Sequence, residues 1–341
     1  MLSNGRRLGA HLALGAGMVK AADRAADVGM SALQVFSDNP TSWRRRSAPP
    51  VELPAFLARL AHHDVAPLAI HAPYLVNLAS PETETGDRSV MMLVNELAVA
   101  QAYGARFLNI HIGSHRGDGA EAGIDRLAAR VATVFAGIGD GAPDPILVLE
   151  NGAGGGFGIG ATVEELGAID TAIAAAGVPR ERYGYCLDTA HAWGAGYDVG
   201  TEAGVDELLA GLGVAVGLHR LHMVHLNDSR AARGSRTDRH EHLGAGQVGV
   251  DGIRRVVTHP LLGHVTYYLE TPGMEEGYDA VNVARLHDIV AGRPLAALPD
   301  AAFTTRSPKG RSAPAETEQG AETEQGAEAA AAAAAVAGRG R

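Results

Sequence analysis

Apolar and polar positions along this chain follow two alternating rhythms. Short runs rich in β-formers, apolar on both faces, are each followed by a longer stretch rich in alanine and leucine with helical spacing. The short runs predict strands at Leu8–Leu12, Ala32–Ser37, Pro67–His71, Phe107–His111, Ile146–Glu150, Tyr183–Asp188, Arg220–Leu226 and Val265–Glu270. The longer ones predict helices near Met18–Val28, Pro54–His63, Asp87–Tyr103, Ile124–Ile138, Val163–Ala176, Val205–Leu212, Asp251–Val257 and Gly277–Val290. Eight strands, each followed by a helix, predict the α/β class and a (β/α)8 TIM barrel. A doubly wound open sheet competes, but no glycine-rich dinucleotide turn follows the first strand.

The rhythm stops near Pro299. Residues 306–341 hold AETEQG twice, an alanine run and Gly-Arg-Gly-Arg, with almost nothing bulky and apolar to offset the entropy of ordering. The expected organisation is a catalytic barrel over residues 1–298 and a low-complexity, disordered C-terminal tail over 299–341. Cys186 is the single cysteine, which excludes an internal disulfide and fits a reducing compartment. No apolar run approaches the length of a membrane span and no signal-peptide core opens the chain, so a cytoplasmic protein is expected.

A formal net charge of −10 argues against a general nucleic-acid binder. Cations bound to carboxylates would offset part of that excess. The basic residues are also concentrated, in Arg44-Arg45-Arg46 and in a loop with an arginine every third position: Arg230, Arg233, Arg236 and Arg239.

The predicted strands end alike. His71, His111, Glu150, Asp188, His225 and Glu270 close six consecutive strands, with His191 three residues past Asp188. Period-two alternation puts them on the face of interior residues, beside Ala69, Asn109, Val148 and Cys186. One polar strand end is usually a cap or loop residue. Six that are only His, Asp or Glu, at the mouth where barrel active sites lie, point to metal. Asp238 and His240 share a direction in an extended segment and can grip one cation, and the arginines around them suit phosphate. Nine ligands, with one carboxylate shared, suffice for three ions. Metal beside phosphate-binding groups is the chemistry of phosphoester cleavage.

With GAHLALGAG, HAPYLVNLASP, LNIHIGSH, LENGAGGG, CLDTAHAWGAGYD and HLNDSRAARGSRTDRHEHLGAGQVG in order, residues 8–290 resemble endonuclease IV, the second family of apurinic/apyrimidinic endonucleases. The resemblance implies a TIM barrel with three zinc ions, manganese being admissible at one position. It implies His71, His111, Glu150, Asp188, His191, His225, Asp238, His240 and Glu270 as ligands. Glu150 would bridge two ions, joined by His71 and His111 on one side and by Asp188, His225 and Glu270 on the other; His191, Asp238 and His240 would hold the third. It also implies Glu150 as the catalytic carboxylate, and cleavage 5′ to abasic sites that leaves a 3′-hydroxyl and a 5′-deoxyribose phosphate. Removal of 3′-blocking groups, a role in base excision repair and action as a monomer on double-stranded DNA follow from the same likeness.

Tyr74 and Leu75 match positions that enter the DNA, with Arg230, Arg233, Arg236 and Arg239 as further DNA contacts. Where the family can present an inserting arginine, this chain has Thr41-Ser42 before Trp43. A sugar isomerase on a similar barrel is the main rival. Such sites usually need a catalytic lysine, and only Lys20 and Lys309 are available, neither at a strand's C-terminal end. A barrel that only binds DNA or metal is the other, and it has no need of all nine ligands.

Overall fold

The computed structural model describes residues 1–138 and 145–304. Strands β1 (Leu8–Ala10), β2 (Leu33–Phe36), β3 (Leu68–His71), β4 (Phe107–His111), β5 (Ile146–Glu150), β6 (Tyr183–Asp188), β7 (Leu221–His225) and β10 (Thr266–Leu269) form one parallel sheet in the order β1-β10-β7-β6-β5-β4-β3-β2. Around it lie α1 (Met18–Asp27), α2 (Leu53–His62), α3 (Thr83–Ala102), α4 (Ala120–Ile138), α5 (Val163–Ala175), α7 (Glu202–Ala215), α8 (Gly249–Thr258) and α9 (Tyr278–Ala291). The sheet curls until its edges meet. Ala32 N–H donates to Leu8 O at 3.1 Å and Leu12 N–H to Gln34 O at 2.9 Å, and His11 bridges Gln34 just beyond β1. Gly9 permits this approach, because a Cβ there would lie 2.5 Å from the Ala32 carbonyl oxygen. The barrel expected from the alternation is the one observed.

Strands β4, β5 and β6 have the expected bounds, and the other five are shorter than the sequence suggests, since pairing stops where neighbours diverge. Besides several 3-10 turns, one helix and two short strands are additional among the described residues. A short helix, α6 (Thr189–Ala195), follows β6 directly, and a two-stranded hairpin pairs β8 (Asp228–Ser229) with β9 (His240–Glu241) across the arginine loop. The described chain also runs past Pro299 into a 3-10 turn at Asp300–Thr304, where Ala302 is buried and its carbonyl accepts from His242 Nε2 at 3.0 Å. The rest of the expected tail, residues 305–341, lies outside the described residues. Among the described residues no helix is long and apolar enough to cross a membrane.

Two apolar layers hold the barrel. One packs the helices onto the outside of the sheet; the other fills the lumen with Ala69, Phe107, Val148, Cys186, Met223 and Tyr268 among others. That plug leaves the C-terminal mouth as the place where polar strand ends can gather. At the opposite end of β6, Asp170 of α5 accepts from the hydroxyls of Tyr183 and Tyr185, each at 3.0 Å, and pairs with Arg220 and Arg180. It thereby ties α5 and β6 to the turn before β7, and β6 and β7 deliver Asp188 and His225.

Burial alone would raise the Asp170 carboxyl, but Arg220 and Arg180 outweigh it and hold it below its ordinary value. Its contribution to stability is therefore present above the unfolded pKa of about 3.9 and is lost as pH falls through the lower folded value. Asp170→Asn should cost about 3 kcal/mol at neutral pH by chemical denaturation, and the gap from wild type should close in acid. A gap that is constant with pH would show that packing, not charge, is what the variant loses.

Candidate metal centre

Asp188 ends β6 and caps α6, its Oδ1 accepting the His191 backbone N–H at 2.8 Å. The cap turns one strand end into two candidate ligands on the same side of the mouth. The β8–β9 hairpin likewise folds the arginine loop back, so that Asp238 and His240 face β6. Asp228 anchors this region: its buried carboxylate accepts backbone N–H groups from Ser229, Gly244, Gly246 and Val248, all at 2.8–3.0 Å.

All nine residues singled out by the sequence come together. Three sets of potential ligand atoms, each mutually within 4.8 Å, are His71, His111 and Glu150; Glu150, Asp188, His225 and Glu270; and Asp188, His191 and His240. Asp238 joins the last, 3.3 Å from His191 Nε2 and 3.1 Å from His240 Nε2. Glu150 Oε2 lies 3.6 Å from His71 Nε2 and 3.8 Å from His111 Nε2, while Oε1 lies 3.2 Å from His225 Nδ1. Such separations match the edge of about 3.3 Å expected between ligands of one tetrahedral ion with bonds near 2.0–2.1 Å. Asp188, like Glu150, stands in two sets, a sharing the sequence did not reveal.

The histidines are oriented for the same purpose. Nδ1 of His71 faces the Ala72 carbonyl at 2.7 Å, Nδ1 of His191 that of Asn151 at 2.8 Å, and Nδ1 of His240 that of Glu270 at 2.8 Å. A carbonyl only accepts, so each Nδ1 carries the hydrogen and each Nε2 turns a lone pair into the site. His225 is reversed: its Nε2 meets the Gln34 amide oxygen at 3.0 Å, which frees Nδ1. Glu150 Oε1, His225 Nδ1 and His240 Nε2 are buried without any hydrogen-bond partner, and buried polar atoms rarely stay so. An acceptor facing an acceptor in a dry pocket asks for a cation between them. Without one, protons fill that place. Burial would lower His240, but Asp238 and Asp188 outweigh it and push the imidazole up to about 10. Metal binding must displace such protons.

Several partners were missed by sequence reasoning. Gln34 is fully buried and donates from Nε2 to Glu270 Oε1 at 2.6 Å, in addition to holding His225. Asn109 Nδ2 donates to Glu150 Oε2 at 2.6 Å and Asn227 Nδ2 to Asp188 Oδ2 at 2.7 Å. His11 packs its ring 4.3 Å from Phe36, with Nδ1 3.4 Å from Glu270. The signal for Gln34 was present: it shares the interior face of β2 with Ala32.

The predicted DNA contacts divide. Tyr74 stands at the rim, 39% exposed, its ring 6.0 Å from that of His71 and 6.1 Å from that of His111. Leu75 is half-buried. Arg233 pairs with Asp198 at 2.6 Å, and Arg230 donates to the His240 carbonyl at 3.0 Å. Arg236 and Arg239 are exposed and, among the described residues, have no ion-pair partner. The glycine-rich segment after Glu150 makes room for this loop, as a Cβ on Gly155 would lie 2.6 Å from the Arg236 carbonyl oxygen.

A (β/α)8 barrel whose mouth gathers buried carboxylates and lone-pair histidines in overlapping sets defines a metal-binding TIM-barrel enzyme. The model of the family described as "Xylose isomerase-like TIM barrel" matches residues 22–287. The protein named "Probable endonuclease 4" of Methanoculleus marisnigri is 39% identical over 282 residues, 83% of this chain and 98% of that one. The crystal structure of endonuclease IV from Thermus thermophilus superposes with a TM-score of 0.72 at 36% identity, over 84% of this chain and 99% of that one. A D-tagatose 3-epimerase-like protein shares the fold alone, at 15% identity and TM-score 0.60 over 84% of this chain and 98% of its own. The chain belongs to the endonuclease IV family, the second family of apurinic/apyrimidinic endonucleases.

Gln34→Leu should test the orienting shell, since it strips the partner of His225 and of Glu270 at once. Metal affinity measured by chelator competition should drop about 10–100-fold. Unchanged affinity would mean that another contact sets the His225 tautomer.

Proposed function

We propose that the enzyme hydrolyses the phosphodiester 5′ to abasic sites in double-stranded DNA, leaving a 3′-hydroxyl and a 5′-deoxyribose phosphate. Removal of 3′-blocking groups at the same centre and a place in base excision repair belong to this reading. The observation that carries it is the overlap of the three ligand sets through Glu150 and Asp188. Overlapping sets hold neighbouring ions, as one scissile phosphate requires. The centre takes three zinc ions, with manganese admissible at one position. Bound there, they would supply acidified water at neutral pH and positive charge for the phosphate oxygens.

The protein's own residues set the geometry. Glu150, clamped by Asn109, is the catalytic carboxylate and the bridge between the set of His71 and His111 and the set of His225, Asp188 and Glu270. His191, Asp238 and His240 close the third position, with Asp188 beside them. Imidazole and carboxylate ligands, with no cysteine, favour zinc or a similar borderline ion. Tyr74 and Leu75 enter the DNA at the lesion. Arg236 and Arg239, exposed and without an ion-pair partner among the described residues, offer their guanidinium groups to the backbone phosphates. Arg230 and Arg233 contribute from the flanks, because their present partners already use part of their donor capacity. The chain acts as a monomer in the cytoplasm.

Glu150→Gln keeps the side-chain volume but replaces an oxygen with an amide nitrogen that cannot coordinate. Incision of an abasic duplex should fall by several orders of magnitude, while affinity for that duplex changes little. Near wild-type turnover would overturn the assignment of Glu150 as bridge.

Elemental analysis of protein from metal-replete growth should return about three ions per chain, as the ligand count requires. One ion or fewer would remove the trinuclear reading. Arg236→Ala should retain the metals and weaken DNA binding, with a log-log salt slope shallower by about 0.9 for one lost phosphate contact.

A further inference from the structure

Glu96 lies within α3, fully buried, and the metal centre does not use it. Its Oε2 accepts from the Ser37 hydroxyl at 2.6 Å, and its Oε1 lies 3.0 Å from Nε of Arg45. Burial pushes its carboxyl up, with the Ser37 hydroxyl and the Arg45 guanidinium opposing. Arg45 therefore points into the protein, unlike Arg44 beside it, which is exposed. The same guanidinium holds the loop that follows β2, for its Nη1 donates to the Asn39 carbonyl at 3.0 Å. The next carbonyl, that of Pro40, accepts the Tyr74 backbone N–H at 3.2 Å, and the Tyr74 ring packs edge-on against Phe36 at 5.2 Å. One line of contacts thus runs from α3 through the loop to the aromatic residue at the mouth.

Beneath this loop is a cavity of about 180 Å³ lined in part by Arg45, Asn95 and Tyr103. Arg45 Nη2, Asn95 Oδ1 and the Tyr103 hydroxyl are buried there without protein partners. These three polar atoms are set among apolar lining from Pro49, Pro50, Ala98 and Val99, and the cavity leaves the packing between the loop and α3 incomplete. The loop is held to α3 by the Ser37–Glu96 hydrogen bond and the Arg45–Glu96 ion pair, while Arg45 Nε also donates to Met92 Sδ of α3 at 2.8 Å.

We infer that Glu96 is a positioning residue: through Arg45 it latches the loop after β2 onto α3 and so sets where Tyr74 stands at the mouth. Nothing in this role touches the metals or the scissile phosphate. Ser42 N–H donates to the same Asn39 carbonyl at 3.3 Å, so the latch also sets the turn that carries Thr41-Ser42, and it withdraws Arg45 from DNA contact. The functional consequence rests on the reading of Tyr74 as a DNA contact.

Three measurements on the full chain test it. Limited trypsin digestion without DNA should cut after Arg44 and Arg46 about tenfold faster in Glu96→Gln than in wild type, because the loop opens more often. Steady-state incision should show KM for an abasic duplex raised about tenfold with kcat within about twofold and metal content unchanged. In a Tyr74→Ala background, Glu96→Gln should add nothing to KM, since both changes act on the same contact. Should Glu96→Gln fold poorly, Glu96→Gln with Arg45→Met leaves no unpaired buried charge and should give the same three results. Unchanged cleavage of the loop overturns the latch. Faster cleavage with an additive KM effect overturns the coupling to Tyr74. A Tyr74→Ala enzyme of wild-type KM instead removes the DNA-contact reading and leaves the latch standing on the digestion alone.

Discussion

Glu150 and Asp188 end their strands buried, Glu270 and Asp238 stand beside them, and the apolar plug of the lumen closes the space beneath. Carboxylates so close, with Glu150, Asp188 and Glu270 largely out of water, repel strongly unless positive charge lies between them. The architecture around the mouth answers that demand. Five histidines interleave with the carboxylates at 3.1–3.8 Å, a spacing suited to ions and poor for acceptors left to themselves. Amides from Asn109, Asn227 and Gln34 donate in addition to Glu150, Asp188 and Glu270.

This constraint explains why the loops matter more than the strands in setting the centre's third position. Strand ends supply six candidate ligands in fixed register, with His111 beside Glu150 and Asp188 beside His225 in neighbouring strands. His191, Asp238 and His240 come from elements outside the sheet, a helix cap and a hairpin. Their placement depends on local hydrogen bonds, chiefly those of Asp188 and Asp228. The same division holds at the rim, where Tyr74 is placed by backbone contacts with the neighbouring loop while Arg236 and Arg239 have no ion-pair partner among the described residues. The mouth is therefore densely bonded where charge is buried and exposed at its arginine-bearing rim.

Much of this was legible in the chain itself. Alternation of period two marks a strand and its inward face, and the residue type at each strand end is a local fact. The eight strands, the closed barrel and the convergence of the six strand-end candidate ligands followed from those two signals, because a parallel barrel brings every strand end to the same rim; His191, Asp238 and His240, outside the sheet, did not follow from them. The additional helix α6 was less visible, since seven residues carry little periodicity and its start is fixed by the Asp188 cap.

What only the tertiary structure decided were choices between chemically equal options. Sequence names a histidine but not which ring nitrogen turns inward; that depends on a carbonyl or a Gln34 amide brought from elsewhere. Sequence lists Asp188 as a ligand but not as a residue common to two sets, because that requires the hairpin to fold His240 back onto β6. It shows three arginines in a row, and only packing makes Arg45 an internal anchor on Glu96 while Arg44 faces solvent. Alternation is encoded between neighbours in the chain, whereas hydrogen-bond partners and buried charges are set by distances that exist only after the barrel has closed.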